Sequence, residues 1–322
     1  MAAGLLKGQM RPSDAARLVL LGAIWGSSFL FIKVALEDLT PTQIVAGRIC
    51  IGALLLVVLL HARGGRIPRD RNLLGTLTVM AVIGNIVPFA LITWGEQYIT
   101  SSLTAILNST TPLFTLLIAA VALEGESLRP MRAAGVVLGF GGVGVIVGFE
   151  TGGSIEGVIA VTVASLAYAA SFVYARRHLS GRDLPPLTLP ATQLLISTAL
   201  TLPWALVDVV RTPPDLVLDA TASVLALGLL GTGWAYVLYY RLIADVGATS
   251  ASFVTYLIPI FGIALGAIVL REDLGVNTIA GAVLVIGGIA LAELGNRRSI
   301  PPEATAPEVE EIVRQSSETR AR

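Results

Sequence analysis

Charge is scarce in this chain. Only 14% of its 322 residues are Asp, Glu, Lys or Arg, and 54% are hydrophobic, whereas a water-soluble chain carries about a quarter charged residues. Little of such a chain can face water, which excludes a large soluble domain. Cysteine is nearly missing as well: Cys50 stands alone, so no intramolecular disulfide can form. The two histidines, His61 and His178, both lie in Arg-rich segments between apolar blocks. No set of His, Cys and carboxylates therefore has metal-ligand spacing, and no nucleophile, base and acid are grouped as catalysis would need. Glycine runs such as Gly139 to Gly144 and Gly287-Gly288 sit inside apolar blocks without flanking strands. That excludes phosphate-cradling loops and leaves close helix packing as their use. No metal, no cofactor, no enzymatic chemistry and no nucleic-acid partner are expected.

What the chain has instead is apolar blocks long enough to cross a bilayer, which takes roughly 20 helical residues for a core of about 30 Å. Ten can be drawn, over 15–36, 42–60, 72–95, 100–123, 132–149, 155–176, 187–210, 219–240, 248–270 and 276–294. The expected fold is an all-α membrane protein of ten transmembrane helices. Residues 1–14 form a short N-terminus before the first block, and 296–322, rich in Pro, Glu and Arg, read as a disordered tail. The first block is too long for a secretory signal and ends at no small-x-small cleavage site.

The net charge of zero hides an asymmetry. With the N-terminus in the cytoplasm, Lys7, Arg11, Arg17, Arg63, Arg66, Arg69, Arg71, Arg129, Arg132, Arg176, Arg177, Arg182 and Arg241 all fall inside, and only Arg211 and Arg271 outside. Positive residues favour the cytoplasmic side, so both termini are expected there, in a multi-pass protein of a bacterial inner membrane.

The two halves repeat. Pro112-Leu113-Phe114 faces Pro259-Ile260-Phe261, Glu126-Ser127-Leu128 faces Glu272-Asp273-Leu274, and Gly135, Gly141 and Gly142 face Gly281, Gly287 and Gly288. Upstream, Gly84 matches Gly231, and Ser28-Phe29 matches Ser171-Phe172. The expected units are 15–149 and 150–295, five spans each. An odd number of spans inverts one repeat relative to the other, an arrangement that serves alternating access around a midplane site.

Polar and aromatic residues inside the spans are the candidates for that site. In the fourth span Ser101, Thr104, Asn108, Thr111 and Thr115 recur at helical spacing, within roughly 60° of the Asn108 direction at 100° per residue. Facing lipid, such a stripe would be unfavourable, so it faces a wet cavity or packs on another helix. Asn108 and Thr111 are the expected substrate contacts, with Thr255 and Tyr256 across the pseudo-two-fold. Deep aromatic residues Trp25, Tyr168, Trp234 and Tyr236 can stack on an amphipathic substrate or merely pack between helices; Ser28 and Asn85 add polar contacts. Trp94, Tyr98 and Trp204 read as an interfacial belt. Glu96 is a candidate for coupling to protons, and Pro112 and Pro259 for equivalent gating bends. Lys33 and Arg48 lie within about two turns of helix ends, so snorkelling to the interface is expected. The alternative is an anion-selecting site or an ion pair with Glu37, Asp38 or Glu96.

At these residues the chain resembles the drug/metabolite transporter superfamily, in its EamA-type branch of ten-helix bacterial exporters. The resemblance rests on Trp25-Gly26-Ser27-Ser28-Phe29, Arg48, Gly95-Glu96-Gln97-Tyr98-Ile99, the stretch from Asn108 to Phe114, and Glu124-Gly125-Glu126 with their second-half counterparts. It implies two inverted five-helix repeats around a central cavity, with the glycine-rich fifth and tenth spans peripheral. It also implies efflux of amino acids, related metabolites or xenobiotics. Relatives that move phosphorylated sugars hold phosphate with clustered deep cations, which this chain lacks. Its expected function is secondary transport, in the export direction, of small neutral or zwitterionic metabolites, with lipid, substrate and candidate protons as partners and either a monomer or a homodimer as the assembly. An uncoupled facilitator is the alternative, and a membrane enzyme or structural subunit is the rival from another class.

Overall fold

The computed structural model describes residues 11–124, 126–149, 154–179, 185–215 and 217–297. Among them every regular element is helical. Nine stretches are long and apolar enough to cross a membrane: α1 Pro12–Ala35, α2 Pro41–Ala62, α3 Arg71–Gly95, α4 Ser101–Ala122, α5 Pro130–Phe149, α6 Ile155–Leu179, α7 Thr188–Arg211, α8 Leu218–Val246 and α10 Val276–Arg297. A tenth apolar helix, α9 Val254–Ile268, is shorter and follows a single turn, Ala248–Ala251. The chain is thus an all-helical, multi-pass membrane protein. The tail expected to be disordered lies, beyond Arg297, outside the described residues.

Local chemistry sets the helix boundaries. Thr40 begins α2 with a capping box, its hydroxyl accepting from the Gln43 N–H while Gln43 Oε1 accepts from the Thr40 N–H. Pro41 follows at the first turn, where its missing N–H costs nothing. Asp70 and Thr100 cap α3 and α4 one way only, their side chains accepting from the Asn72 and Leu103 N–H groups. Gly64 and Gly247, at φ 75° and 84°, end α2 and α8 in a conformation that only glycine enters without strain.

Three spans are interrupted. In α4 the regular helix stops at Asn108 and resumes at Thr111. Pro112 has no N–H for the Asn108 carbonyl, and the Thr111 hydroxyl takes that acceptor at 2.7 Å. The wheel drawn through one continuous helix therefore ends at Asn108. Wide π turns interrupt α3 at Val82–Ile86 and α8 at Leu229–Trp234. Pro112 and Pro259 do not occupy equivalent bends: Pro112 opens the second segment of α4, whereas Pro259 lies within α9 and the break precedes it at Ser252 and Phe253.

Helices α5 and α10 pack on each other through glycine. A Cβ on Gly135 would stand 2.5 Å from the Gly288 carbonyl, and one on Gly142 would stand 2.7 Å from that of Gly281. Exchanging the aligned residues turns the first contact into the second. Elsewhere α1 packs along α9, with Gly26 against the backbone of Ile258 and Gly262, while α2 packs on α7 and α8, and α6 on α3 and α4.

Both ends of the bundle carry buried core: toward the termini Leu18, Leu21 and Leu242 belong to one cluster and Leu56, Leu60 and Leu187 to another. At the end opposite the termini, here the far end, Ile32, Ala35, Ile44, Ile92, Ile99 and Leu103 belong to one buried core. All seven residues from Ser101 to Leu107 are buried there, whereas Asn108 and Phe114 to Leu117, deeper along α4, are half-exposed. At the termini end, Arg17 pairs with Asp14 and Asp245 at 3.1 and 2.6 Å.

Candidate functional site

Halfway along the bundle two polar nodes form where π turns open. A π turn shifts hydrogen bonds by one residue and exposes a carbonyl that a regular helix would use. In α8 that carbonyl belongs to Gly231, and Trp25 Nε1 of α1 donates to it at 3.2 Å. The next residue, Thr232, accepts at 2.8 Å from Arg48 Nε of α2. The approach is close: a Cβ on Gly231 would lie 3.1 Å from Ser28 Oγ and 3.9 Å from Arg48 Nη2. Arg48 also places Cζ 4.1 Å from the centroid of the Phe89 ring, a cation–π contact worth about 2 kcal/mol when desolvated.

The second node stands at the π turn of α3. Gln193 of α7 donates to Asn85 Oδ1 and to the Met80 carbonyl, each at 3.1 Å, and Asn85 Nδ2 donates to Ser197 Oγ at 3.2 Å. Ser171 Oγ stands against Gly84 as Ser28 Oγ stands against Gly231. Extending the repeat from Pro41 and Pro186 sets Arg48 opposite Gln193, and the match of Gly84 with Gly231 sets Asn85 opposite Thr232. The nodes therefore occupy corresponding places in the two repeats, with a cation in the first and a neutral amide in the second.

Arg48 does not snorkel. It is 8% exposed, because Thr232 and Phe89 offer a nearer partner than the interface does. Lys33 is half-exposed and reaches the far-end loop, where its Nζ donates to the Glu96 and Ile99 carbonyls at 2.6 and 3.0 Å, neutralising the negative end of α3. The Glu96 carboxylate beside it is buried, and both oxygens lack a hydrogen bond among the described residues. At the same end Glu272 accepts from Ser101 N, Ser102 N and Ser102 Oγ at 2.7, 3.0 and 2.5 Å. A carboxylate there satisfies the free amides that begin α4.

Of the residues expected at the site, Trp25 and Ser28 meet at Gly231. Tyr168 and Tyr236 lie within electrostatic reach of Arg48, and Tyr168 sets its ring edge-on to Phe89 at 6.4 Å. Asn108 is half-buried with Oδ1 unbonded among the described residues. Ser165, one turn before Tyr168, donates to the Leu107 carbonyl at 3.1 Å and ties α6 to the break in α4. Asn85 belongs to the neutral node. Thr104 is fully buried in the far-end segment and bonds back to the Thr100 carbonyl. Thr255 bonds back to Ser252, and Tyr256 donates to the Ile289 carbonyl at 3.4 Å. Tyr256 also lines an apolar groove of 570 Å³ between α1, α9 and α10. Trp234, 44% exposed, shares the exposed face of α8 with Leu225, Leu229 and Leu230. Phe89, Gln193, Ser197 and Thr232 were not singled out by the sequence, although sliding span two along span seven would have paired Arg48 with Gln193.

The structure is thus a helical membrane bundle with two polar nodes at its centre. The EamA-like transporter family model matches residues 15–148 and again 155–294. The chain belongs to the EamA-like transporter family. It is 25% identical over 270 residues to the uncharacterized transporter YoaV of Bacillus subtilis, covering 83% of this chain and 91% of that protein. A probable terminal-alkyne amino-acid exporter of Streptantibioticus cattleyicolor is 27% identical over 299 residues, covering 90% and 96%. The uncharacterized inner membrane transporter YedA of Escherichia coli K12 is 24% identical over 308 residues, covering 91% and 95%. A solved crystal structure superposes with a TM-score of 0.63 at 21% identity, covering 90% of this chain and 99% of its own, and shows the fold alone.

Proposed function

We propose that this transporter is a secondary carrier that exports small neutral or zwitterionic metabolites, amino acids foremost, by alternating access between two inverted five-helix repeats. What supports this is the difference between the two duplicated acidic loops. Glu272 closes onto the start of α4 at the far end. Its aligned counterpart Glu126 is instead paired at the other end with Arg132 and Arg176, at 3.2 and 2.8 Å. The Arg176 hydrogen bond, with that of Arg132, holds Glu126 below the usual carboxylate range, so the carboxylate stays ionised and engaged at neutral pH.

An inverted repeat with one such contact made and its copy broken describes a carrier open on one side. Exchanging them, Glu272 releasing Ser101 while Glu126 turns to the turn that begins at Ala248, would open the other. The Arg and Lys distribution makes the termini end cytoplasmic, so the open side is the one from which an exporter collects its cargo. The Streptantibioticus relative, named for export of an amino acid, supports the substrate class.

Coupling to protons falls to Glu96. The charges of Lys33 on α1, Glu272 in the loop before α10 and Arg48 on α2 act on its buried carboxylate, so a change in its protonation alters the charge balance at the far end. In proteoliposomes an imposed proton gradient is expected to drive uphill amino-acid movement by the wild type. Glu96→Gln is expected to keep exchange of labelled for unlabelled substrate and lose the response to the gradient. Wild-type flux that ignores the gradient would leave an uncoupled facilitator, and a variant that still responds would remove Glu96 from the coupling.

A further inference from the structure

Arg48 is a buried guanidinium with most of its bonding capacity idle. Of five N–H donors, Nε alone is used, on Thr232. Among the described residues the group makes no ion pair. A cation at membrane depth that makes no ion pair is costly; Glu96 acts on it electrostatically without bonding it, and one cation–π contact offsets only part of that cost.

The repeat shows that a cation is not needed to hold the helices together. At the equivalent position Gln193 ties α7 to the π turn of α3 with a neutral amide, and its Nε2 is fully occupied by Asn85 and Met80. If Arg48 only tied α2 to the π turn of α8, an amide would serve there too. Around its free end are the Phe89 face and the half-buried rings of Tyr168 and Tyr236. Neither tyrosine hydroxyl has a hydrogen-bond partner among the described residues.

We propose that the two free terminal nitrogens of Arg48 receive the carboxylate of the transported molecule, with the half-buried rings of Tyr168 and Tyr236 beside it. This inference rests on the transport reading and narrows its substrate class to zwitterions with a free carboxylate, α-amino acids foremost. A forked guanidinium binds a carboxylate by two parallel hydrogen bonds. Amines, amides and esters of the same body lack that pairing and are rejected. The asymmetry between the nodes also gives the substrate one orientation, carboxylate toward α2 and α8.

The test is thermal stabilisation of the purified full-length protein by the standard amino acids, each paired with its carboxamide. The wild type is expected to bind at least one acid ten or more times tighter than its amide. Arg48→Gln is expected to lose that preference, with the acid weakened to the level of the amide, and Arg48→Lys to keep part of it. A folded Arg48→Gln protein that still prefers the acid would overturn the assignment. Equal binding of acid and amide by the wild type would overturn it without recourse to any variant, while leaving the transport reading standing. A wild type that binds no member of the panel would overturn the inference together with the transport reading.

Discussion

Glu272→Ala is expected to leave a folded protein whose far end no longer seals and whose transport rate falls at least tenfold. The carboxylate accepts from two backbone amides and one hydroxyl at the start of α4. Hydrogen bonds to a charged group are worth about 1.5–3 kcal/mol each, so even a partial loss of three removes about 3 kcal/mol from the far-end-closed state. At 1.4 kcal/mol per factor of ten, that shifts the balance between the two states by about a hundredfold. A single cysteine at Thr104, placed on a Cys50→Ser background, reads the shift. It is fully buried in the sealed structure and is expected to resist a water-soluble thiol reagent there, yet to react once Glu272 is removed. A cysteine at Asn108, already half-exposed, is expected to react in both proteins. Protection of the Thr104 position in the Glu272→Ala protein would mean that the loop carboxylate does not hold the far end closed.

The largest effect on folding is expected at the α5–α10 seam. A leucine at Gly135 has to place its Cβ 2.5 Å from a backbone carbonyl of Gly288, and the reciprocal substitution at Gly288 meets the Gly135 carbonyl at 2.6 Å. Backbone cannot rotate aside as a side chain can, so the helices must separate, at about 3 kcal/mol or more. Gly135→Leu and Gly288→Leu are each expected to collapse the yield of monodisperse protein and lower its melting temperature. Gly141 and Gly287 have nothing within 4 Å, and Ala at either is expected to be harmless. Equal tolerance at all four positions would mean that the seam is not the close contact described.

Much of the architecture was legible because its causes are local. Apolar block length marked the spans, and four of the six glycines aligned between the fifth and tenth spans, Gly135, Gly142, Gly281 and Gly288, pack α5 against α10, while Gly141 and Gly287 do not. What stayed hidden depends on neighbours remote in sequence. Distance from a helix end suggested that Lys33 and Arg48 snorkel: Lys33 does reach the far-end loop, where it finds the carbonyls at the end of α3, yet Arg48 finds a threonine presented by a π turn that no residue preference announces. The stripe from Ser101 to Thr115 assumed one straight helix. Pro112 and the hydroxyls of Ser109, Thr110 and Thr111, which bond to nearby carbonyls at 2.6, 2.6 and 2.7 Å, divide it instead. Its first members are packed, and Asn108 stands at the break. The aromatic residues separate for a similar reason: Tyr168 and Trp234 look alike as deep rings in the sequence, but one lies over Phe89 and the other faces outward from α8.

The most direct test is counterflow. Proteoliposomes holding the wild-type protein are loaded with a high concentration of an unlabelled amino acid and diluted into a trace of the same compound carrying a radiolabel. A carrier that exposes one site alternately to the two sides must return with label on each inward passage, so internal label is expected to overshoot its equilibrium level and then decay. Label that rises only to equilibrium with no overshoot, for every amino acid tried, would contradict an alternating-access carrier for these substrates.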